Sequence, residues 1–221
     1  MTGRPGGTGT KRLRAVHPRR LTSVGVSNDC MNLLLPWSTR GTPGVGKTTT
    51  CNELLSLASQ SSPPLNLKHL SINDIVKKRS CHTGYDEELQ TLIVDEDKLM
   101  DEVEKEIADG QGEGGWVIDW HSTAGFAVRW VDLVVVLRCQ ETNTLYDRLM
   151  SRGYKDEKVQ ENMDAEIFAV VSEEAREAWS EEGQVVELSS VAAEDIEENA
   201  ERVLQWIKNW VKDHEQQENG H

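Results

Sequence analysis

One stretch of the chain combines the residue types and the spacing that phosphate binding requires. It is Gly41-Thr42-Pro43-Gly44-Val45-Gly46-Lys47-Thr48-Thr49, which fits the phosphate-binding loop pattern GxxxxGK followed by Ser or Thr. The glycines allow successive backbone N–H groups to surround a phosphate, Lys47 can reach the β- and γ-phosphates, and the Thr48 hydroxyl can ligate Mg²⁺. The stretch predicts a nucleoside triphosphate site. A chance match among glycine-rich turns is the alternative.

A carboxylate follows an apolar run further along the chain. Trp116-Val117-Ile118-Asp119 ends in the position where a Walker B carboxylate holds the hydrated metal of a nucleotide site. A simple capping role for Asp119 is the alternative. His121, two residues later, could orient a water molecule or an acceptor hydroxyl, or it could only pack near Trp120.

Further cations could contact phosphates. Arg148 and Arg152 are spaced i and i+4 at a predicted helix, so they are expected to point the same way and to clamp transferred phosphates. Ordinary surface arginines are the alternative. Lys77, Lys78 and Arg79 could receive a nucleoside monophosphate, although a solvated basic turn explains them nearly as well.

Strands and helices must alternate to bring these residues together. The expected strands are 68–72, 116–119, 133–137 and 185–188, and the expected helices are 49–58, 95–109, 142–150, 156–181 (possibly broken once) and 194–214, with 73–94 a polar segment of helix and loop. Such alternation predicts an α/β fold in which helices cover both faces of a parallel sheet. The ligand is then expected at the carboxyl edge of the strands, where both Gly41–Thr48 and Asp119 lie.

The strand that should lead into the loop is irregular in this scheme. Residues 31–35 are apolar enough for a buried strand, but Pro36 to Arg40 intervene. Proline lacks a ladder donor, and Arg40 is an unusual residue to bury in a central strand. An apolar replacement of residues 36–40 is therefore expected to raise thermal stability. A degenerate loop that binds nucleotide without turnover is the corresponding alternative function.

Charge is distributed unevenly over the 221 residues. The net charge is −14, yet residues 1–30 hold six basic groups and one acidic group, which leaves 18 basic and 37 acidic residues, or −19, for the remainder. An acidic body repels phosphate backbones, so we expect no strong binding of free nucleic acid and favour a basic partner. No apolar run approaches the roughly 20 residues of a membrane span, and we expect no direct membrane contact. The cysteines lack C-x-x-C spacing and the histidines lack an H-x₃₋₅-H pair, so a structural metal is not expected.

Residues 1–30 are rich in Gly, Thr, Arg and Pro and are expected to form a disordered basic extension. Their basic clusters could be a nuclear import signal or the start of a transit peptide, and an inert extension is equally compatible. The folded domain is expected over 31–214, followed by a polar tail at 215–221.

Five motifs together resemble the adenylate kinase isoenzyme 6 family, also called the coilin-interacting nuclear ATPases, and particularly its fungal type. They are the loop at 41–49, Gly-Tyr-Asp-Glu at 84–87, Val-Asp-Glu-Asp at 94–97, Ile-Asp-Trp-His at 118–121 and Arg-Gly-Tyr at 152–154. The family tends to have Phe-Pro-Glu-Arg where this chain has Phe126-Ala127-Val128-Arg129.

The resemblance implies a three-layer P-loop NTPase fold of the adenylate kinase type. It places ATP on Gly41 to Thr49, a monophosphate-binding segment at 71–94, the Walker B region at 119–121 and a short lid at 151–161. It also implies conversion of ATP and AMP into two ADP, together with ATP hydrolysis. In this enzyme hypothesis the catalytic residues are Lys47, Asp119, His121 and Arg152, while Arg148 and Arg152 contact ATP, and Thr48 and Asp119 hold Mg²⁺ partly through water.

The resemblance further implies a role in the nucleus and cytoplasm during late maturation of the small ribosomal subunit. Members bind a small-subunit ribosomal protein, act on the pre-40S particle and assist cleavage of the 18S rRNA precursor. A second hypothesis is therefore an assembly ATPase whose turnover drives binding and release of that protein, with incidental kinase activity. The acidic body favours this second hypothesis.

Overall fold

The computed structural model describes residues 36–110, 114–122, 131–179 and 184–219. These residues belong to one compact unit, 31–221. The predictions for residues 1–35 and for the segment around Phe126 to Arg129 lie outside the described residues. Within them, no helix is long and apolar enough to cross a bilayer.

Five parallel strands form the central sheet, in the order β2-β5-β1-β6-β7. The strands of the chain are β1 Pro36–Arg40, β2 Leu67–Ser71, β3 His82–Asp86, β4 Thr91–Val94, β5 Gly115–Asp119, β6 Leu133–Arg138 and β7 Val185–Ser189. The helices are α1 Lys47–Gln60, α2 Ile72–Lys78, α3 Glu96–Asp109, α4 Thr142–Ser151, α5 Asp156–Ile167, α6 Val170–Ala178 and α7 Glu194–Asn219. The order of strands and helices agrees with the predicted α/β alternation.

Two apolar clusters, one on each face of the sheet, give the fold its three layers. Strand β6 shows the cause, because its side chains alternate: Leu133 and Leu137 pack in the cluster that includes α1, α4 and α7, while Val134 and Val136 pack in the cluster that includes α2, α3 and α6. Trp206 and Trp210 of α7 are partly buried and pack against the cluster that includes α1 and α7.

Strand β1 corrects the expectation that residues 36–40 interrupt the sheet. These residues are themselves the central strand, paired in parallel with β5 and β6. Pro36 is the first residue of the strand, where a missing donor is tolerated. Thr39 hydrogen-bonds to the Ile118 carbonyl at 3.3 Å, and the fully buried Arg40 guanidinium donates to the Ser122 carbonyl and lies 5.5 Å from the Trp179 ring. Local hydrogen bonds and an aromatic face thus replace the expected apolar side chains.

The polar segment 73–94 contains a β-hairpin that the sequence did not indicate. Strands β3 and β4 pair antiparallel, from His82 opposite Val94 to Asp86 opposite Thr91. The Asp86 carboxylate accepts hydrogen bonds from the backbone N–H groups of Glu88 and Leu89, each at 2.9 Å, which closes the turn. The hairpin stands apart from the main sheet.

The long acidic helix predicted over 156–181 is broken, as the sequence allowed. Helices α5 and α6 are separated at Ala169, whose backbone is left-handed with φ 55° and ψ 32°. At the end of the chain, α7 continues to Asn219 and so includes residues 215–219 of the expected polar tail.

Candidate nucleotide site

The phosphate-binding loop joins the carboxyl end of β1 to the start of α1. Its conformation requires glycine: Gly44 has φ 95°, and a Cβ on Gly41 would lie 2.6 Å from the Leu137 carbonyl oxygen. The side of the loop that faces the core is fixed, because Val45 is fully buried and its carbonyl accepts a 2.7 Å hydrogen bond from the Ser190 hydroxyl. The sequence therefore folds here into a cradle whose open side faces the carboxyl edge of the sheet.

Lys47 folds back over this cradle. Its ammonium donates to the carbonyl oxygens of Gly41 and Thr42, at 2.7 and 2.9 Å. Burial lowers the pKa of Lys47 to about 8, and the nearby Asp119 carboxylate opposes that shift. The ammonium is thus positioned where a phosphate group on the loop would meet it.

Thr48 and Asp119 form the polar pair expected of a Mg²⁺ site. The Thr48 hydroxyl donates to Asp119 Oδ2 at 2.5 Å, because the ends of β5 and β1 lie side by side in register. Asp119 is only 3% exposed, and its Oδ1 has no hydrogen-bond partner among the described residues. A buried carboxylate oxygen without a donor, beside a hydroxyl, matches the oxygen ligands that Mg²⁺ prefers. These residues fit the metal.

His121 lies in the cleft two residues beyond this pair. Its ring packs against Trp120, with centroids 4.2 Å apart and planes tilted by 49°. The surrounding protein lowers the pKa of His121 to about 4 by desolvation, and the charges of Lys47 and Arg40 act in the same direction. The side chain is exposed to the open cleft, and its imidazole is neutral at neutral pH.

Two adjoining pockets open at this edge. The first, which we call the loop pocket, has a volume of about 420 Å³ and is lined by the phosphate-binding loop, Asp119 and Arg152. The second, the hairpin pocket, has a volume of about 320 Å³ and lies between α2 and the β3–β4 hairpin. Both are lined by Asn73, Thr91, His121 and Tyr154. Two ligands bound in these pockets would meet at these shared residues.

The structure separates the two arginines that the sequence paired. Arg152 lines the loop pocket as predicted. Arg148 does not, because its guanidinium donates to the carbonyl oxygens of Ser190 and Val191 at 2.9 and 2.6 Å. The helical spacing was misleading here, since α4 ends at Ser151 and Arg152 belongs to the turn that follows. The expected phosphate contact of Arg148 is therefore corrected to a structural role.

The three basic residues at the end of α2, Lys77, Lys78 and Arg79, also differ in their surroundings. Lys77 lines the hairpin pocket. Lys78 pairs with Asp74 at 2.9 Å on the surface, and Arg79 lies near the Glu102 and Glu106 carboxylates, at 3.6 and 3.7 Å. Of these three cations, Lys77 alone lines either of the two adjoining pockets.

Helix α5 contributes pocket residues that sequence reasoning missed. Lys158 and Asn162 line the loop pocket, and the Lys158 ammonium lies 4.5 Å from the Tyr154 ring and donates to the Gln90 carbonyl at 3.0 Å. Lys158 lies within the expected lid and Asn162 directly follows it. Their i and i+4 spacing in the helix expected over 156–181 placed them on one helix face, and that spacing was the available signal. Lys155 donates to the Glu87 carbonyl at 3.0 Å, so the lid segment contacts the hairpin at two points.

Glu166 is a second residue that the sequence did not single out. This carboxylate is only 4% exposed, and it accepts from the Thr42 hydroxyl at 2.5 Å, from Arg138 Nε at 2.8 Å and from the Cys139 backbone N–H at 2.8 Å. It therefore ties the end of α5 and the end of β6 to the phosphate-binding loop. No local sequence signal marks a contact between residues 124 positions apart.

A parallel sheet covered on both faces, a glycine-rich loop at the end of its central strand and an adjacent Thr–Asp pair define a P-loop protein of the nucleotide kinase class. Comparisons with known proteins agree. Residues 39–169 match a family model described as an AAA domain. The chain is 44% identical over 174 residues to the adenylate kinase isoenzyme 6 homolog of Schizosaccharomyces pombe, covering 79% of this chain and 92% of the relative.

The adenylate kinase isoenzyme 6 homolog FAP7 of Saccharomyces cerevisiae is 43% identical over 174 residues, which are 79% of this chain and 82% of the relative. The chain belongs to the adenylate kinase isoenzyme 6 family, and the predicted resemblance is confirmed. Shikimate kinase from Acinetobacter baumannii in complex with shikimate shares the fold, with a TM-score of 0.52 and 15% identity over 80% of this chain and 95% of that one. The family and the site together imply use of ATP, usually with Mg²⁺.

Proposed function

We propose that the protein is an adenylate kinase, which transfers the γ-phosphoryl group of ATP to AMP and yields two ADP, and which hydrolyses ATP when water replaces the acceptor. The observation that supports this most directly is the pair of adjoining pockets with four shared lining residues, Asn73, Thr91, His121 and Tyr154. A bare ATPase needs only the first pocket. A kinase needs a second pocket for the acceptor, open to the first.

In this proposal the loop pocket binds ATP and the hairpin pocket binds AMP. The backbone N–H groups of the loop and the Lys47 ammonium hold the β- and γ-phosphates, and Arg152 lies in the same pocket as a further cation. Thr48 and Asp119 would hold Mg²⁺, partly through water, and the ion would supply charge neutralisation at the phosphates. An oxygen of the AMP phosphate attacks the γ-phosphorus while the bond to the β-phosphate oxygen breaks, so that ADP remains in each pocket.

His121 stands at the boundary of the two pockets in its neutral form. A neutral imidazole can donate from one ring nitrogen and accept at the other. We therefore assign it the orientation of the acceptor phosphate, or of a water molecule when AMP is absent. Lys77 is positioned to hold the AMP phosphate from the opposite side of the hairpin pocket.

The test measures ADP formation from Mg-ATP with and without AMP, in the wild type, in Lys47→Ala and in Lys77→Ala. Lys105→Ala, on the exposed face of α3, is the matched control. We expect AMP-stimulated turnover in the wild type and the control, its loss in Lys47→Ala, and a higher KM for AMP alone in Lys77→Ala. Turnover that AMP does not stimulate would contradict the kinase and favour a pure ATPase. No turnover at all would indicate the binding module without chemistry.

A second candidate is an assembly ATPase for a small-subunit ribosomal protein within the pre-40S particle, acting in the nucleus and cytoplasm and assisting cleavage of the 18S rRNA precursor. The net charge of −14 favours it, because an acidic protein attracts a basic partner. It is tested by binding of a purified small-subunit ribosomal protein with and without Mg-ATP. Binding that ATP turnover releases, and that persists in Lys47→Ala, supports this role, whereas binding unaffected by nucleotide contradicts it.

A further inference from the structure

The register of the sheet places three potential metal ligands under helix α1. His69 of β2 pairs with Val117 of β5, two residues before Asp119, and Thr39 of β1 pairs with Asp119. Because strand side chains alternate, His69, Thr39 and Asp119 project from the same face. That face is the one α1 covers, where Cys51 lies one turn after the phosphate-binding loop. The fold thus gathers a thiol, an imidazole and a carboxylate from positions that show no motif spacing.

The ligand atoms of these residues are close and incompletely bonded. One ligand atom from each of Cys51, His69 and Asp119 lies within 4.8 Å of the other two, and His69 Nε2 is 3.9 Å from Asp119 Oδ2. Cys51 is fully buried and Asp119 is 3% exposed. His69 Nε2 and Asp119 Oδ1 are buried atoms without a hydrogen-bond partner among the described residues. The Cys51 Sγ atom has one partner, the Thr39 hydroxyl at 2.8 Å. A thiol, an imidazole nitrogen and a carboxylate oxygen gathered in this way form a set of ligands that suits a metal cation.

We propose that Cys51, His69 and Asp119 bind a borderline divalent metal ion, Zn²⁺, in the nucleotide-free protein. Sulfur, imidazole nitrogen and carboxylate oxygen are the ligands of tetrahedral zinc, with bonds of about 2.0 to 2.3 Å. Three such bonds to one ion hold the ligand atoms roughly 3 to 4 Å apart, so a small contraction of the present cluster completes the site. Water takes the fourth position. On binding, the Cys51 S–H bond breaks, a Zn–S bond forms, and the proton passes to solvent.

An entry path for the ion reaches His69 from the surface. A pocket of about 430 Å³ is lined by His69, Asp74 and Glu106, among others. The His69 side chain is 22% exposed, while the Asp119 side chain behind it is 4% exposed. Lys78 and Arg79 also line this pocket and pair with Asp74 and Glu106, so the pocket supplies access to the imidazole and no net attraction for a cation. An ion that enters here meets the imidazole first, and then the buried thiol and carboxylate.

Asp119 is shared between this zinc site and the Mg²⁺ site. A carboxylate bound to zinc cannot serve the metal of a nucleotide, so Zn²⁺ and Mg-ATP are expected to compete. This consequence alone rests on the proposed function. Binding of the ion itself is measured without nucleotide, and a failure of the kinase proposal would leave it standing.

The test titrates nucleotide-free protein with Co²⁺, whose thiolate-to-cobalt charge-transfer band and intense tetrahedral d–d bands report the ligands, and then displaces it with Zn²⁺. Cys51→Ala and His69→Gln are compared with Cys81→Ala and Cys139→Ala, which remove the other buried thiols of the described residues. We expect one equivalent of Co²⁺ and a charge-transfer band in the wild type and both control variants. We expect loss of the band in Cys51→Ala and an affinity weakened at least about tenfold in His69→Gln.

Unchanged far-ultraviolet circular dichroism must accompany the loss in Cys51→Ala, so that a folding defect is distinguished from a missing ligand. The Co²⁺ spectrum of the wild-type protein tests for a tetrahedral site with a thiolate ligand and does not depend on any variant. Tetrahedral cobalt without a thiolate band, a band retained in Cys51→Ala, or no binding at all would each overturn the proposal. Weaker Co²⁺ binding in the presence of Mg-ATP would support the shared use of Asp119.

Discussion

Arg40 is a charged residue at the centre of the sheet, directly before the phosphate-binding loop. Burial lowers the pKa of its guanidinium to about 9, and Asp119 partly opposes the shift. A base whose pKa in the folded protein lies below its ordinary value is destabilised in its charged form by folding. The cost is fully present at neutral pH and is lost only as the pH rises through the folded-state pKa of about 9 towards the ordinary pKa of arginine.

We therefore expect Arg40→Met to raise the free energy of unfolding by roughly 2 kcal/mol, because an apolar side chain of similar length fills the site without the charge. The measurement is the thermal unfolding midpoint, which should rise. Arg202→Met on the exposed face of α7 should leave the midpoint unchanged. A lower midpoint in Arg40→Met would show that the contacts with Ser122 and Trp179 outweigh the desolvation. The sequence-based expectation was that an apolar replacement of all five residues 36–40 raises thermal stability, and the structure assigns that gain to Arg40 alone.

Glu166→Gln tests the buried network behind the loop. The substitution keeps the shape but removes the charge that faces Arg138, whose side chain is 13% exposed. Leaving a buried cation without its partner is expected to cost about 3 kcal/mol of unfolding free energy. Urea unfolding measures the loss, and Glu173→Gln, in an exposed pair with Arg176, should cost well under about 1 kcal/mol. Equal effects of the two variants would argue against the network.

Residues whose role depends on order along the chain could be predicted, and residues whose role depends on distant contacts could not. The positions of Lys47, Thr48 and Asp119 at the edge of the sheet could be predicted because the loop pattern and the strand end are local features, whereas their catalytic and metal-binding roles stay predictions. Glu166 was missed because its partners are distant in sequence, and Arg148 was misplaced because its acceptors lie in the loop after β7.

Among the elements, the core strands and most helices could be predicted, whereas the hairpin could not. Strands β5 and β6 are continuous buried runs, which give a strong signal, whereas the central strand β1 carries Ser38, Thr39 and Arg40 and gave none. Strands β3 and β4 alternate between half-buried and exposed residues over five and four positions, too short for a clear period. Their turn depends on the Asp86 side chain instead of an Asn-Gly pair. The hairpin pocket therefore could not be foreseen as a shape.

The junction between α5 and α6 allows a test of backbone strain. Ala169 has φ 55°, a left-handed conformation that costs an L-residue roughly 1 to 2 kcal/mol. Ala169→Gly should stabilise the protein by about 0.5 to 1 kcal/mol, after the larger chain entropy of glycine is deducted. Ala108→Gly, within α3, should instead lower the midpoint in the same thermal unfolding experiment. If Ala169→Gly were less stable than the wild type, packing of the Ala169 methyl group would contribute more to stability than the left-handed backbone costs.

At the scale of the whole molecule, charge sets the behaviour in solution. The net charge is −14, and α3, α5 and α7 all begin with acidic residues. Such a surplus destabilises the compact state through self-repulsion, which salt screens.

The melting midpoint is therefore expected to rise as NaCl increases from a low concentration to about 0.5 M, where the screening length falls to a few ångströms. KCl at equal ionic strength should act equally, because screening does not depend on the identity of the cation. A midpoint that falls with salt would show that ion pairs such as Arg138–Glu166 contribute more than the general repulsion costs.

Main-chain oxygens accept the hydrogen bonds that the Lys158 and Arg148 side chains donate from the lid and from α4. Lys158 bonds to the carbonyl of Gln90, and Arg148 bonds to those of Ser190 and Val191. Every amino acid has a main-chain carbonyl, so a substitution at an acceptor position keeps the acceptor atom. In a library that randomises each position, the donor positions Lys158 and Arg148 should therefore tolerate fewer amino acids than the acceptor positions. Covariation between aligned sequences will not reveal these contacts either. Only the donor side chain can alter such a hydrogen bond, so a change at the donor is not matched by a change at the acceptor.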